Sequence, residues 1–215
     1  MQSYFIKTPS LAKFFLRNWV WSMPSNEKII YLTFDDGPTP EITNWTLNLL
    51  QEYNAKATFF CLGKNVEEHP SIYQKIIDQN HIVGNHTNNH LNGFITETSK
   101  YLKNIDFSEN NLNTNRNFEN QTTKLFRPPY GKLNFSQSRK IRKKGYKIIM
   151  WDVLSADFDP DISSQQCLEN VIGNAKNGSI IVFHDSVKAQ EKLQFVLPKI
   201  LGYYSEKGYS FKAIN

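Results

Sequence analysis

Short apolar runs recur along this chain at 29–34, 57–61, 82–84, 125–127, 146–151, 180–184 and 211–214, and stretches of helical period fill most of the gaps between them. Runs of this length, bounded by turn residues, read as strands. Two of them, Ile148-Ile149-Met150-Trp151 and Ile180-Ile181-Val182-Phe183, are apolar on both alternating faces. Such strands must be covered from both sides, and strands joined through helices pair in parallel, because parallel neighbours need a crossover. The pattern predicts a mainly parallel α/β sheet of seven strands, either a barrel or a doubly wound sheet.

The helical segments carry their own punctuation. Thr39 and Pro40 make a cap and first turn, after which Ile42, Trp45, Leu49 and Leu50 share one face. A second helix opens at Ser163, with Gln166 completing a capping box, and stops before Gly178. Seven asparagines between Asn104 and Asn120 fit a solvated helix and turn. No internal repeat and no Pro/Gly/Ser-rich linker is visible. With 215 residues, 40% of them hydrophobic, a single domain with one core is expected. Residues 1–27 read as an N-terminal segment that packs on or leads into a domain spanning 28–215.

Charge and composition exclude several classes. The net charge of +5 favours approach to an anionic polymer or surface, but the basic residues are scattered, which argues against nucleic-acid binding. No apolar run reaches the ~18 residues of a membrane span. Near the N-terminus Phe14, Phe15, Leu16, Trp19, Val20 and Trp21 are interrupted by Lys13, Arg17 and Asn18, and no small-residue cleavage site follows. A standard signal peptide is not supported, so the sequence by itself points to the cytoplasm. The two cysteines, Cys61 and Cys167, are too few for a zinc cluster, and a disulfide between them is not expected.

Polar groups gather where the expected strands end. Thr33-Phe34-Asp35-Asp36-Gly37-Pro38 places two carboxylates on successive residues, whose side chains leave a strand in different directions. One can bind a metal while the other takes a proton, although the string alone also describes a simple turn. His86-Thr87-Asn88-Asn89-His90 has i, i+4 spacing, which brings both imidazoles to one side if the segment is helical. The pair suits a divalent metal with a carboxylate as third ligand. Thr87 stands where a zinc-protease helix carries its glutamate, so a base must come from elsewhere, and Asp35 is available. Arg127-Pro128-Pro129-Tyr130-Gly131, the stretch from Trp151 to Phe158, and Ile181-Val182-Phe183-His184-Asp185 follow three further strands. Parallel strands put all five clusters on one face.

In order from residue 33 to residue 185, these motifs resemble those of polysaccharide deacetylases of the NodB-homology group, carbohydrate esterase family 4. The resemblance spans roughly the whole chain after Lys28. It implies a single-domain, seven-stranded distorted (β/α) barrel, similar to a TIM barrel, with a divalent metal, commonly zinc, held by Asp-His-His. By resemblance, Asp36, His86 and His90 are the ligands and Asp35 is the general base. Arg127 orients Asp35 and stabilises its carboxylate, and Tyr130 donates its backbone N–H to the oxyanion. His184 is the general acid, tuned by Asp157, while Pro129, Tyr130, Phe158 and Val182 line the substrate pocket. Leu154 and Phe158 depart from the family's fourth motif, which has Asp and Trp there, and Val182 replaces a common leucine. Asp157 is retained.

The implied reaction is removal of N-linked acetyl groups from a glycan, with N-acetylglucosamine units of peptidoglycan as first choice, by a monomer associated with the cell envelope. A metal lowers the pKa of water to about 7 and polarises the carbonyl, Asp35 takes the water proton, and His184 protonates the leaving nitrogen. No G-x-S-x-G elbow is present, so no seryl intermediate is expected. The rival enzyme readings are a metal-dependent hydrolase of small C–N bonds in cyclic imides or ureides and an esterase of O-acetylated sugars. A non-catalytic glycan-binding homologue would have lost ligands or base, and Asp35, Asp36, His86, His90 and His184 are all present.

Overall fold

The computed structural model describes residues 4–24, 26–113 and 123–215. Its strands are β1 (Ile29–Asp35), β2 (Ala57–Cys61), β3 (Ile82–Asn85), β4 (Lys124–Phe126), β5 (Tyr146–Ile148), β6 (Val153–Leu154), β7 (Ile180–His184) and β8 (Ser210–Phe211). They pair in parallel in the order β5-β4-β3-β2-β1-β7-β6, with β8 on the first residues of β1. The helices are α1 (Ser10–Phe15), α2 (Ile42–Glu52), α3 (Gly63–Glu68), α4 (Pro70–Asp78), α5 (Thr98–Asn113), α6 (Phe135–Lys143), α7 (Ser164–Ile172) and α8 (Gln190–Glu206). β1 is buried along its whole length, and Phe34 on it stacks against Phe59 at 5.0 Å and Phe183 at 6.0 Å.

β5 and β6 follow one another in the chain yet lie at the two ends of the sheet. The sheet therefore curls until residues 149–152 join its edges, giving a curled half-barrel in one domain. Ile149 N–H donates to the Phe126 carbonyl (2.8 Å) at one edge and Asp152 N–H to that of Ile180 (3.0 Å) at the other. This crossing is why the run 146–151, expected as one strand, pairs as β5 only to Ile148, and why the chain pairs again after a bend as β6 at Val153–Leu154, where no strand was expected. Residues 20–23 help fill the seam. Val20 N–H donates to Ile148 C=O (2.8 Å), Met150 N–H to Val20 C=O (2.7 Å) and Met23 N–H to Gly178 C=O (2.8 Å).

Three other expectations meet differences. The last strand stops at Phe211 because β2 occupies the flank of β1 from Leu32 onward, leaving only Ile29 and Ile30 to pair with β8. Helix α2 starts at Ile42 after Glu41 at φ 66°, without a side-chain cap, and Thr39 N–H donates instead to Thr43 Oγ1 (2.8 Å). Its buried face is Ile42, Thr43, Thr46, Leu47 and Leu50, with Trp45 and Leu49 at the margin. Threonines can be buried there because their hydroxyls are satisfied, Thr46 by the Ile42 carbonyl (2.9 Å) and Thr43 by Asp185 (2.6 Å). The Ser163/Gln166 capping box forms, and α7 ends at Ile172. Of the asparagine-rich stretch, Asn104, Asn110, Asn111 and Asn113 lie on α5, and the rest fall outside the described residues. Cys61 and Cys167 are free and buried.

Candidate active site

Register alone sets the first contact: β1 pairs with β7 so that Asp35 lies beside His184. The next residue, Asp36, has φ 79°, a left-handed turn that aspartate tolerates, and the two carboxylates diverge. Asp35 Oδ1 accepts from Arg127 Nη1 at 2.7 Å. Arg127 is completely buried, and its other donors reach Thr33 Oγ1 (2.7 Å), Met150 C=O (2.8 Å) and Ile149 C=O (3.3 Å), with the guanidinium 4.1 Å from the Phe60 ring centroid. A buried cation needs such complete pairing. The same side chain ties the seam of the half-barrel to Asp35.

Residues 86–90 form a loop, not the helix that i, i+4 spacing suggested. The imidazoles converge because Thr87 (φ 66°) and His90 (φ 56°) turn the backbone into the left-handed region. Such conformations cost of order 1–3 kcal/mol each and persist only where partners impose them. Here Asn85 Oδ1 accepts from Thr87 N–H (2.9 Å), while its Nδ2 donates to Ile105 C=O (3.0 Å). Asn104 Oδ1 accepts from both Asn88 N–H (2.9 Å) and Asn89 N–H (3.1 Å). Neither asparagine was singled out from the sequence for this role. Asn85 opens an N-glycosylation-type triplet, Asn85-His86-Thr87, but it is fully buried and so is not a surface acceptor.

His86 Nε2 lies 3.6 Å and His90 Nε2 3.3 Å from Asp36 Oδ1, and the three ligand atoms of the cluster fall within 4.8 Å of one another. His86 Nδ1 is 2.8 Å from the Arg127 carbonyl, which can only accept, so Nδ1 carries the hydrogen. Burial and then the neighbouring His90 hold His86 down to about 3, and burial lowers His90 as well. Neutral imidazole thus turns a lone pair toward a carboxylate oxygen that is itself buried without a hydrogen-bond partner. Acceptors facing one another with no proton between them fit a cation, and two imidazoles with one carboxylate are a zinc-type donor set.

A cavity of about 390 Å³ opens over these groups, lined also by Tyr130, Leu154, Phe158, Val182 and His184. His184 Nδ1 lies 2.8 Å from Asp157 Oδ1, and its backbone N–H donates to Asp157 Oδ2 at 2.8 Å. Burial would lower this imidazole, but Asp157, then Asp36 and Asp35, outweigh it and raise His184 to about 9. Tyr130, at φ 59°, lays its exposed ring 4.5 Å from His90. The following Gly131 (φ 66°) has no room for a Cβ, which would sit 2.6 Å from Trp151 Cη2. Pro129 does not line the cavity as expected. It is buried beneath the turn, and Pro128 takes the lining position.

Sequence reasoning passed over Asp185, which follows His184 in the last motif. It is completely buried and accepts from Gly37 N–H (3.1 Å) and Thr43 Oγ1 (2.6 Å), while its own N–H donates to Asp35 C=O (3.1 Å). Burial, with help from Asp36, pushes it up to about 8. A Cβ on Gly37 would lie 2.0 Å from Asp185 Oδ2, so glycine is required in this clamp.

A parallel half-barrel that gathers carboxylates and imidazoles at the carboxyl ends of its strands is a hydrolase architecture of the α/β-barrel class. The family model for polysaccharide deacetylase matches residues 22–149, and the chain belongs to that family, the NodB-homology deacetylases of carbohydrate esterase family 4. It is 34% identical over 201 residues to a peptidoglycan-N-acetylglucosamine deacetylase of Bacillus cereus, covering 91% of this chain and 90% of that protein. It is 34% identical to chitin deacetylase 2 of Saccharomyces cerevisiae over 79% of this chain, but spans only 54% of that longer protein. The crystal structure of the Bc1960 peptidoglycan N-acetylglucosamine deacetylase in complex with 4-naphthalen-1-yl-N-oxidanyl-benzamide superposes with a TM-score of 0.86 at 32% identity, covering 96% and 95% of the two chains.

Proposed function

We propose that this protein removes the acetyl group from N-acetylglucosamine units of peptidoglycan, working at the cell envelope as a metal-dependent monomer. The observation that carries the reading is the meeting, in one cavity, of an arginine-held carboxylate, an Asp/His/His cluster and a carboxylate-held histidine. Likeness over nearly the full length to a peptidoglycan-N-acetylglucosamine deacetylase supports the choice of substrate. All these groups come from one chain, so a monomer suffices. Among the described residues no helix is long and apolar enough to cross a membrane.

Asp36, His86 and His90 would hold the divalent cation, zinc by its donor set, which when bound supplies a lowered water pKa and a polarised carbonyl. Asp35, fixed by Arg127, removes the proton from the attacking water. The Tyr130 backbone N–H donates to the carbonyl oxygen as negative charge grows on it. His184 is raised to about 9 and so carries its proton at neutral pH, with Asp157 holding Nδ1 and leaving Nε2 to protonate the departing nitrogen. Leu154, Phe158 and Val182 form an apolar wall for the sugar and its methyl group.

Acetate release from zinc-loaded protein, measured on peptidoglycan, N-acetylglucosamine oligomers and acetylxylan, tests this. The expected result is acetate from peptidoglycan, with less from the oligomers. Acetate from acetylxylan alone would replace the reading with an O-acetyl esterase.

A further inference from the structure

The segment ahead of β1 is built into the half-barrel. Lys7 pairs antiparallel with Val153 of β6, Leu154 N–H donates to Ile6 C=O (2.9 Å), and Thr8 N–H donates to Asp152 C=O (3.0 Å). Asp152, almost completely buried, latches this strap: Lys7 Nζ lies 2.6 Å away, Lys13 Nζ pairs with its other oxygen, and Ser179 Oγ donates at 2.5 Å. Burial would raise this carboxyl, but the hydrogen bonds from Lys13, Lys7 and Ser179 win and hold it below the usual range.

The antiparallel direction carries the chain, read backward from Lys7, past the carboxyl end of β6 to the mouth of the cavity. Tyr4 lines that cavity. Its ring packs edge-on against Phe158 at 5.3 Å, its hydroxyl donates to Asp159, and Phe158 packs in turn against His184 at 5.0 Å. Two contacts therefore fix a half-buried aromatic ring in the cavity wall, separated from the proposed general acid by the ring of Phe158. The C–H face of a pyranose is the complement of such a ring.

We propose that Tyr4 is a specificity-determining residue that stacks against a pyranose ring of the glycan on the His184 side of the cavity. The proposal rests on the glycan-deacetylase reading. Its test uses zinc-loaded protein with Tyr4→Phe, Tyr4→Leu and Tyr4→Ala, and the N-acetylglucosamine tetramer as probe. Calorimetry in an Asp35→Asn background gives Kd, and acetate release in the wild-type background gives kcat and KM. Leucine and alanine are expected to raise Kd and KM about tenfold, the scale of one aromatic stacking contact, with kcat within about twofold. Phenylalanine keeps the ring and should stay near wild type. Unchanged Kd in the leucine and alanine variants, no binding of the tetramer to any form, or a loss confined to kcat would each overturn the proposal. Tyr4-dependent Kd without acetate from wild type would leave the sugar contact standing and remove the deacetylase reading instead.

Discussion

Asp35 and Asp36 are adjacent and chemically identical, yet their partners separate them. Asp35 is bonded to a buried guanidinium, whereas Asp36 Oδ1 is buried with no partner and faces two imidazoles. Asp35→Asn should keep one equivalent of zinc and lose at least about 100-fold in kcat, the scale of a lost general base. Zinc content and acetate release on the same sample check it, and full turnover would remove Asp35 from that role. At His184 the pH dependence follows from Asp157. Because the folded imidazole is raised to about 9 from an ordinary value near 6.5, its contribution to stability is complete below ~6.5 and is lost as pH rises through about 9. Asp157→Asn removes the raising charge, so the alkaline limb of kcat should move down by about one unit or more. A limb that stays in place would show that another group carries it. That Asp35, Asp36, His86, His90 and His184 would gather on one face was legible in the sequence because they are reactive side chains at expected strand ends. Asn85, Asn104 and Asp185 were not, since each acts by bonding backbone that is distant in sequence or turned by the fold.

At the scale of elements, the double-sided apolar runs were legible because burial on both faces leaves no other home for them. The end of β5 at Ile148 and the new strand β6 at Val153 were not, because a bend that crosses from one sheet edge to the other does not change apolar content. The helical reading of 86–90 failed for a related reason. Equal spacing arises either from one helical turn or from a loop with two left-handed residues, and only the bonds from Asn85 and Asn104 distinguish them. Two substitutions measure the elements. Phe34→Ala, between Phe59 and Phe183 near the carboxyl end of β1, should cost about 3–5 kcal/mol in urea unfolding, and a cost below ~1 kcal/mol would deny Phe34 its place in the core. Ser163→Ala should cost about 1 kcal/mol by opening the α7 capping box, and no change in the unfolding midpoint would show the cap to be dispensable.

For the molecule as a whole, barrel closure and site assembly share parts. Arg127 binds the carbonyls of Ile149 and Met150 in the seam and the carboxylate of Asp35 in the cavity, while the strap from Tyr4 to Lys13 covers the β6 edge and reaches the same cavity. The alternation of strands and helices made the parallel sheet legible, but closure depends on pairings between residues far apart in the chain. In the proposed mechanism the site works as one unit only when the cluster of Asp36, His86 and His90 holds a metal, and this is open to a single titration. Metal-stripped protein is given zinc in sub-stoichiometric steps while acetate release from peptidoglycan is followed. Activity should be absent without zinc and rise linearly to a plateau at one equivalent per chain, and full activity in the metal-free protein would contradict the account.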